Sequence, residues 1–398
     1  MQPNKLEAQL QTAPHRTAAC DIFILADDLT GACDSGAAFL ATGRAVRVVL
    51  DAPDSDLSSS FHWRTETVLA FATETRNLTQ DHAAERVARA AKFFQRASGD
   101  HIFFNKVDSA ARGHLGAQTM AALEASGAAL ALVAPAFPQA GRTVCDGLLN
   151  VRDAAAQNTT VSLRDLFAGV DATQIEVLPT GTISALEKGI ARALDRGVRV
   201  LLCDAQTQTD LERLATAAYG LPQPVLWTGS AGLARSLAAV LPSLRHCELT
   251  LPAHRDGRTM LFVGTDHAVT ALQVSHLEQQ SSVSERAIYR VNWDSPSHHE
   301  IRAAFAAAPT AALVLTGGDT AAFVLHALGA SSILLAGELA LGVPWGVIQG
   351  GEGEGCIAVT KSGGFGRHDT LADAFDFCRQ IDRQIDRQID NRRASASA

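Results

Sequence analysis

Short apolar runs recur along this chain, and each stops at a charged or turn-forming cluster. DIFILA ends at Asp27 and Asp28, HIFFN at Lys106 and ALALVA at Pro135. Runs of this length without internal alternation read as strands buried on both faces, as in a parallel sheet. They predict strands at Asp21–Ala26, Ala45–Leu50, Thr67–Ala72, His101–Lys106, Ala129–Ala134, Val198–Cys203 and Val225–Thr228. Amphipathic stretches alternate with them, including Asp81–Ala97, Ala117–Ala125 and Ile183–Arg196. Strand–helix alternation of this kind predicts an α/β fold, with a mainly parallel sheet flanked by helices.

With 398 residues and 47% hydrophobic content, the chain exceeds one ordinary core, so two domains are expected. The period is lost in LPSLRHCELTLPAHRDGR (241–258), which has two prolines and mixed charge. A linker is therefore placed at 246–258, between a domain at 21–245 and another at 259–380. The second set of strands is expected at Met260–Val263, Ala287–Val291, Ala311–Leu315 and Cys356–Thr360, with helices after Asp266, Asp319 and Asp369. Residues 1–20 read as a flexible lead-in. The tail 381–398 repeats RQID and sets Ile381, Ile385 and Ile389 on one helix face, which reads as a solvated extension of the last helix.

Composition narrows the function classes. Charged residues make up 19% and the net charge is -8, which argues against binding a phosphate backbone, so no nucleic-acid partner is expected. The seven cysteines are scattered, odd in number and without C-x-x-C spacing, so they read as reduced thiols rather than a zinc site or disulfide framework. No apolar run reaches the roughly 18 residues of a membrane span, and residues 1–20 have no signal-peptide core. A cytoplasmic protein is expected, with a two-fold homodimer as the default assembly.

In a parallel sheet, ligands bind beyond the carboxyl ends of the strands. Four polar clusters of the first half fall there: Asp27-Asp28-x-Thr30-Gly31-x-x-Asp34, TETRN with Arg76, NKVDSAARGHLG, and APAFPQAGRTV. Each has a plain structural reading. Asp-Asp before a helix serves as a cap, worth about 0.5–2 kcal/mol. Lys106, Asp108 and Arg112 would make an ion-pair network, and 135–141 a turn. Their recurrence on one predicted sheet edge favours a site. Cations beside hydroxyl-binding carboxylates suit a small polyhydroxy acid, and the fork of Arg112 suits a carboxylate or phosphate.

The strand ends of the second half carry glycines and small polar residues instead: VGTDHAVT, LTGGDTAAF, GELALGVPWG and KSGGFGRHD. Glycine lets backbone N–H groups approach an anion, and a following helix N-terminus favours negative charge. Neither a P-loop nor a dinucleotide fingerprint is present. A polyphosphate on the second domain and a hydroxy acid on the first make a kinase, with ATP and Mg²⁺ as cofactors and the chemistry in the interdomain cleft. Asp28, Asp108 and Asp319 are each candidates for a general base. A dehydrogenase is disfavoured by the missing fingerprint. A non-catalytic sugar-acid-binding regulator would not need the cations and both glycine loops together. The isolated histidines, His101, His114 and His267, need no special role, and His368 beside the last glycine loop draws slightly more interest.

The motifs ADDLTGACDSG, KVDSAARGHLG, APAFPQAGRTVCDG, TGSAGLA, LTGGDTAAFVLHALG, GELALGVPWG and KSGGFGRHDTL, in this order, resemble the four-carbon acid sugar kinase family over about residues 21–375. The resemblance implies ATP-dependent phosphorylation of D-threonate, D-erythronate or 3-oxo-tetronate at the terminal 4-hydroxyl. A kinase for another small hydroxy acid, such as glycerate, is the alternative. By motif, it implies Asp28, Lys106, Asp108 and Arg112 as catalytic residues, with Asp27, Asp34, Arg76 and Ser109 on the acceptor side. Thr265, Gly317, Gly318, Asp319, Thr320, Gly342, Val343, Pro344, Gly363 and Gly364 would line the nucleotide side, with the loop continuing to Gly366. Two departures stand out. GTDHAVTALQ has Thr265 where the family has serine, and TGGD carries Asp319 where glutamate is usual.

Overall fold

The computed structural model describes residues 21–50, 67–94, 101–152, 158–221, 223–244, 255–280 and 287–381. The lead-in 1–20, most of the expected linker and the RQID repeats beyond 381 lie outside them.

The first half runs β1 (Asp21–Ala26), α1 (Leu29–Ala37), β2 (Ala45–Val49), β3 (Thr67–Ala72), α2 (Gln80–Phe94), β4 (His101–Lys106), α3 (Leu115–Ser126) and β5 (Leu130–Ala134). Three short strands follow, β6 (Arg142–Cys145), β7 (Leu148–Arg152) and β8 (Asn158–Ser162). It ends with β9 (Ile175–Leu178), α4 (Ile183–Asp195), β10 (Val200–Cys203), α5 (Gln208–Tyr219), β11 (Val225–Gly229) and α6 (Ala231–Val240). The second half runs β12 (Arg258–Val263), α7 (Ala268–Gln280), β13 (Ala287–Arg290), α8 (His298–Ala306), β14 (Thr310–Thr316) and α9 (Gly318–Ala327). After it come β15 (Ser332–Ala340), β16 (Val343–Gln349), β17 (Ile357–Lys361) and a last helix, α10, at 370–381.

The expected strands are present with ends moved by one or two residues. Those of the first half form an all-parallel block, β2-β3-β1-β4-β11-β5-β10-β9, whose interior strands are buried along their length. In the second half, β13, β12, β14 and β17 are parallel. The sequence reading gave each half a sheet of its own. The structure joins them into one 14-stranded sheet, because the antiparallel hairpin β15–β16 pairs with β17 on one side and β2 on the other. Val46 and Val48 lie opposite Leu335 and Ile333, so the apolar core continues through the joint. Register shifts near Leu335/Gly337 and Glu338/Ala340 bend β15 there, as bulges do. The small sheet β6-β7-β8 is antiparallel and separate. No helix among the described residues is long and apolar enough to cross a membrane.

Candidate active site

Register sets the first half of the site. Ala26 of β1 lies opposite Ala72 of β3 and Lys106 of β4, so the segments beginning at Asp27, Thr73 and Val107 leave the sheet side by side. Asp28 is the N-cap of α1, accepting a 2.7 Å hydrogen bond from Gly31 N and one of 2.9 Å from Thr30 Oγ1. The capping role is real, but it is only part of what Asp28 does. Arg76 donates from Nε and Nη2 to the two oxygens of Asp27, both at 3.0 Å, and from Nη1 to Asp28 Oδ2 at 2.8 Å. Its Nη2 also lies 3.5 Å from Asp108 Oδ2. Arg112 closes a fork on Asp108, with Nε to Oδ1 at 3.0 Å and Nη2 to Oδ2 at 2.6 Å. Burial opposes ionisation of Asp28, but Arg76, Lys106 and the Gly31 and Thr30 hydrogen bonds outweigh it and hold its carboxyl below the usual range. Burial likewise opposes ionisation of Asp108, and the Arg112 fork and Arg76 hold it well below.

Lys106 stands apart. It is 6% exposed and its ammonium makes no hydrogen bond or ion pair with the described residues, although Asp27, Asp28, Asp34 and Asp108 all feel its charge. A Cβ on Gly31 would lie 2.6 Å from Asp28 Oδ1 and 2.8 Å from Lys106 Nζ, so glycine at that position gives both groups their room. Lys106, Asp34, Ser109 and Ser230 line a small pocket of 30 Å³, too small to hold more than about one water. Asp34 accepts from Arg235 at 3.4 Å. Burial pushes its carboxyl up to about 6, against the pull of Arg235 and Lys106.

The second half presents backbone. Gly317, at φ 91°, turns the chain from β14 into α9, and its N–H donates to Lys361 O at 2.8 Å. The first-turn N–H groups of α9 have no intrahelical acceptor, and they carry the positive end of the helix. Thr265, after β12, lies close to Gly317 and Gly363: a Cβ on Gly363 would stand 2.7 Å from its Oγ1. Trp293, 42% exposed, donates from Nε1 to Gly264 O.

A cavity of 680 Å³ brings the halves together. Asp28, Arg76, Asp108, Ser109 and Arg112 line one side, and Thr265, Gly317, Gly318, Asp319, Thr320, Gly363 and Gly364 the other. Asn77 Nδ2 donates to Asp319 Oδ2 across it at 3.1 Å. Farther back, Arg235 on α6 pairs with Glu338 on β15 at 2.5 Å, and Glu338 accepts the Gly342 N–H at 2.8 Å.

The candidate residues thus meet from two ends of the sequence, with exceptions. Asp27 lines neither this cavity nor the small pocket and is held by Arg76. Lys106 and Asp34 line the small pocket. Gly342, Val343 and Pro344 also do not line the cavity: they form the turn into β16, with Gly342 against the Phe365 ring. Sequence reading passed over Glu74, Lys361, Trp293 and the Arg235–Glu338 pair. Of these Lys361 had a signal, since it ends an apolar run as Lys106 does. Glu74 sits at φ 46°, a conformation costly for a residue with a Cβ. Its Oε1 is buried without a partner, and burial, with Asp28, Asp319 and Asp27 next, pushes its carboxyl up to about 8.

Among the described residues, no group of three or more His, Cys, Asp or Glu is arranged to cage a metal ion. Asp28, Asp319 and Asp27, which after burial raise the Glu74 carboxyl, suit a cation brought by a ligand and held through one or two carboxylates, the usual manner of Mg²⁺ with phosphates.

Comparison with known proteins agrees with this division. A sugar-binding N-terminal domain model matches residues 22–237, and a nucleotide-binding C-terminal domain model matches 244–371. The chain is 32% identical to a D-threonate kinase of Bordetella bronchiseptica over 90% of this chain and 98% of that one. It is 30% identical to a D-threonate kinase of Cupriavidus necator, over 88% and 96%. A solved Salmonella typhimurium LT2 structure shares the fold, with TM-score 0.67 and 20% identity over 89% of this chain and 98% of that one. Two halves of opposite chemistry, matched end to end by these relatives, place the chain in the four-carbon acid sugar kinase family.

Proposed function

We propose that the protein transfers the γ-phosphoryl group of ATP to the terminal 4-hydroxyl of a four-carbon sugar acid. D-threonate is favoured over D-erythronate and 3-oxo-tetronate, because both relatives described above act on it. The observation that carries this reading is the pairing across one cavity of a carboxylate-and-cation wall with a helix N-terminus and a glycine loop.

The triphosphate lies against the N–H groups of α9 and the loop at 362–366, where backbone dipoles favour anions. The acceptor lies against Asp28 and Ser109, which line both the cavity and the small pocket, and Lys106 is the unpaired cation for its carboxylate once the small pocket widens to admit it. Phosphoryl transfer asks mainly for alignment and neutral charge balance, which these groups supply. Asp28, ionised and set against α9, orients the acceptor hydroxyl and takes its proton. Asp108 is less free for that task, since Arg112 and Arg76 occupy its oxygens. Mg²⁺ fits beside Asp319 and Glu74, where it would offset phosphate charge.

The test is ADP release with MgATP against D-threonate, D-erythronate, their L-forms, 3-oxo-tetronate and D-glycerate. Release with one four-carbon acid supports the reading. Release with D-glycerate alone keeps a kinase and moves the acceptor outside this class.

A further inference from the structure

Lys361 closes β17 and is 1% exposed. Its Nζ donates to Ser362 O at 3.0 Å, Phe365 O at 3.2 Å, Gly363 O at 3.3 Å and Thr270 Oγ1 at 3.2 Å. Thr270 Oγ1 also donates to Gly363 O at 2.8 Å, and Gln273 Nε2 to Phe365 O at 3.1 Å and Arg367 O at 2.7 Å. The carbonyls of the glycine loop are thus gathered onto Lys361 and α7. Gly363 and Gly364 line the cavity, and their N–H groups make no hydrogen bond with the described residues. The Lys361 carbonyl also holds Gly317 N, so this residue ties together both glycine turns that face the cavity.

A buried ammonium normally has a counter-charge. What faces Lys361 is uncharged: Thr270 from α7 and the loop carbonyls. The titratable groups around the loop are Asp266, His267, Arg367, His368, Asp369 and Asp373, with His276 on α7 against His368, and none displaces its titration. Burial alone brings it down to about 7. The anion that would balance it belongs on the other side of the loop.

We propose that Lys361 is the positioning residue of the nucleotide site: it turns the loop carbonyls inward, leaves the N–H groups for phosphate, and becomes fully protonated when the nucleotide supplies the missing negative charge. This rests on the nucleotide reading of the second half. The proton comes from solvent, so MgATP binding takes up a proton at Lys361 above neutral pH.

The experiment is calorimetry of MgATP binding, without acceptor, in buffers of different ionisation enthalpy. The wild type should take up more protons than the Lys361 variants, by a fraction approaching one at about pH 8 and little at about pH 6, any release from Glu74 being common to both. Lys361→Met should bind roughly 10- to 100-fold more weakly and lose that uptake. Lys361→Gln, which keeps donors without the charge, should recover part of the affinity but none of the uptake, and it serves if the Met variant does not fold. Equal affinity and equal uptake in wild type and variants would overturn the proposal while leaving the nucleotide site in place. No MgATP binding by folded wild type would overturn both.

Discussion

Asp28 and Gly318 meet across the cavity so closely that a Cβ on Gly318 would stand 2.3 Å from Asp28 Oδ2. The acceptor wall thus touches the helix N-terminus that is proposed to hold phosphate, and only a hydrogen at that position fits. Gly318→Ala must move α9 or the carboxylate. Alanine is otherwise welcome in a helix, so folding should be little changed. Misplacement near 1 Å costs about 10²-fold in rate, and kcat/KM for the acid should fall by at least that. Thermal melting together with ADP release checks this. A variant as active as wild type would mean the two groups do not act together.

Lys106 is a buried cation without a described partner, facing the small pocket. If it holds the acceptor carboxylate, Lys106→Met removes one charge-assisted hydrogen bond, worth about 1.5–3 kcal/mol, or roughly 10- to 150-fold in KM for the acid. KM for ATP should stay within about threefold, because the nucleotide contacts lie on the other wall. Steady-state kinetics with each substrate varied separately distinguishes the two. An equal rise in both constants would place Lys106 on the phosphates instead.

Much of this was legible in the sequence, for a local reason. A strand buried on both faces is a continuous apolar run, and its end is marked by the first charge, so β1, β3 and β4 and the groups after them could be read directly. The β15–β16 hairpin could not. Its partner β2 lies far off in sequence, and pairing of that kind leaves no local mark. The link from Arg235 to Glu338 spans 103 residues and was invisible for the same reason. Gly342 to Pro344 show the limit of a local pattern, because a glycine turn looks alike whether it faces a ligand or packs, as Gly342 does, against a phenylalanine ring. The raised carboxyl of Glu74 comes first from burial and then from Asp28 and Asp319, which meet from separate halves, and no local pattern carries that.

The role of Asp28 is separable from its cap. Asparagine caps helices about as well as aspartate, so Asp28→Asn should keep α1 and fold normally. It cannot accept the hydroxyl proton, and turnover should fall by about 10²- to 10⁴-fold. MgATP affinity should change little. Near-normal turnover in this variant would remove Asp28 as the base. Asp108→Asn is the useful comparison, since it also releases Arg112 and should disturb acceptor affinity as well as rate.

Glu74 gives the site a pH signature. Its ordinary value is 4.5, and burial with Asp28, Asp319 and Asp27 raises it to about 8 in the folded chain. The folded state therefore binds this proton more tightly than the unfolded state does. The resulting stability is fully present below the unfolded value and is lost as pH rises through about 8. Glu74→Gln removes the titration, so the variant should gain on wild type in melting temperature from about pH 6 to about pH 9. Mg²⁺ with nucleotide would supply positive charge beside the carboxyl, lower its value and flatten the wild-type slope, but should leave the variant's slope unchanged. Melting curves across this range, with and without the Mg²⁺–nucleotide pair, read both effects. Parallel profiles for wild type and variant would show that Glu74 carries no extra proton, and the argument for a cation beside it would go too.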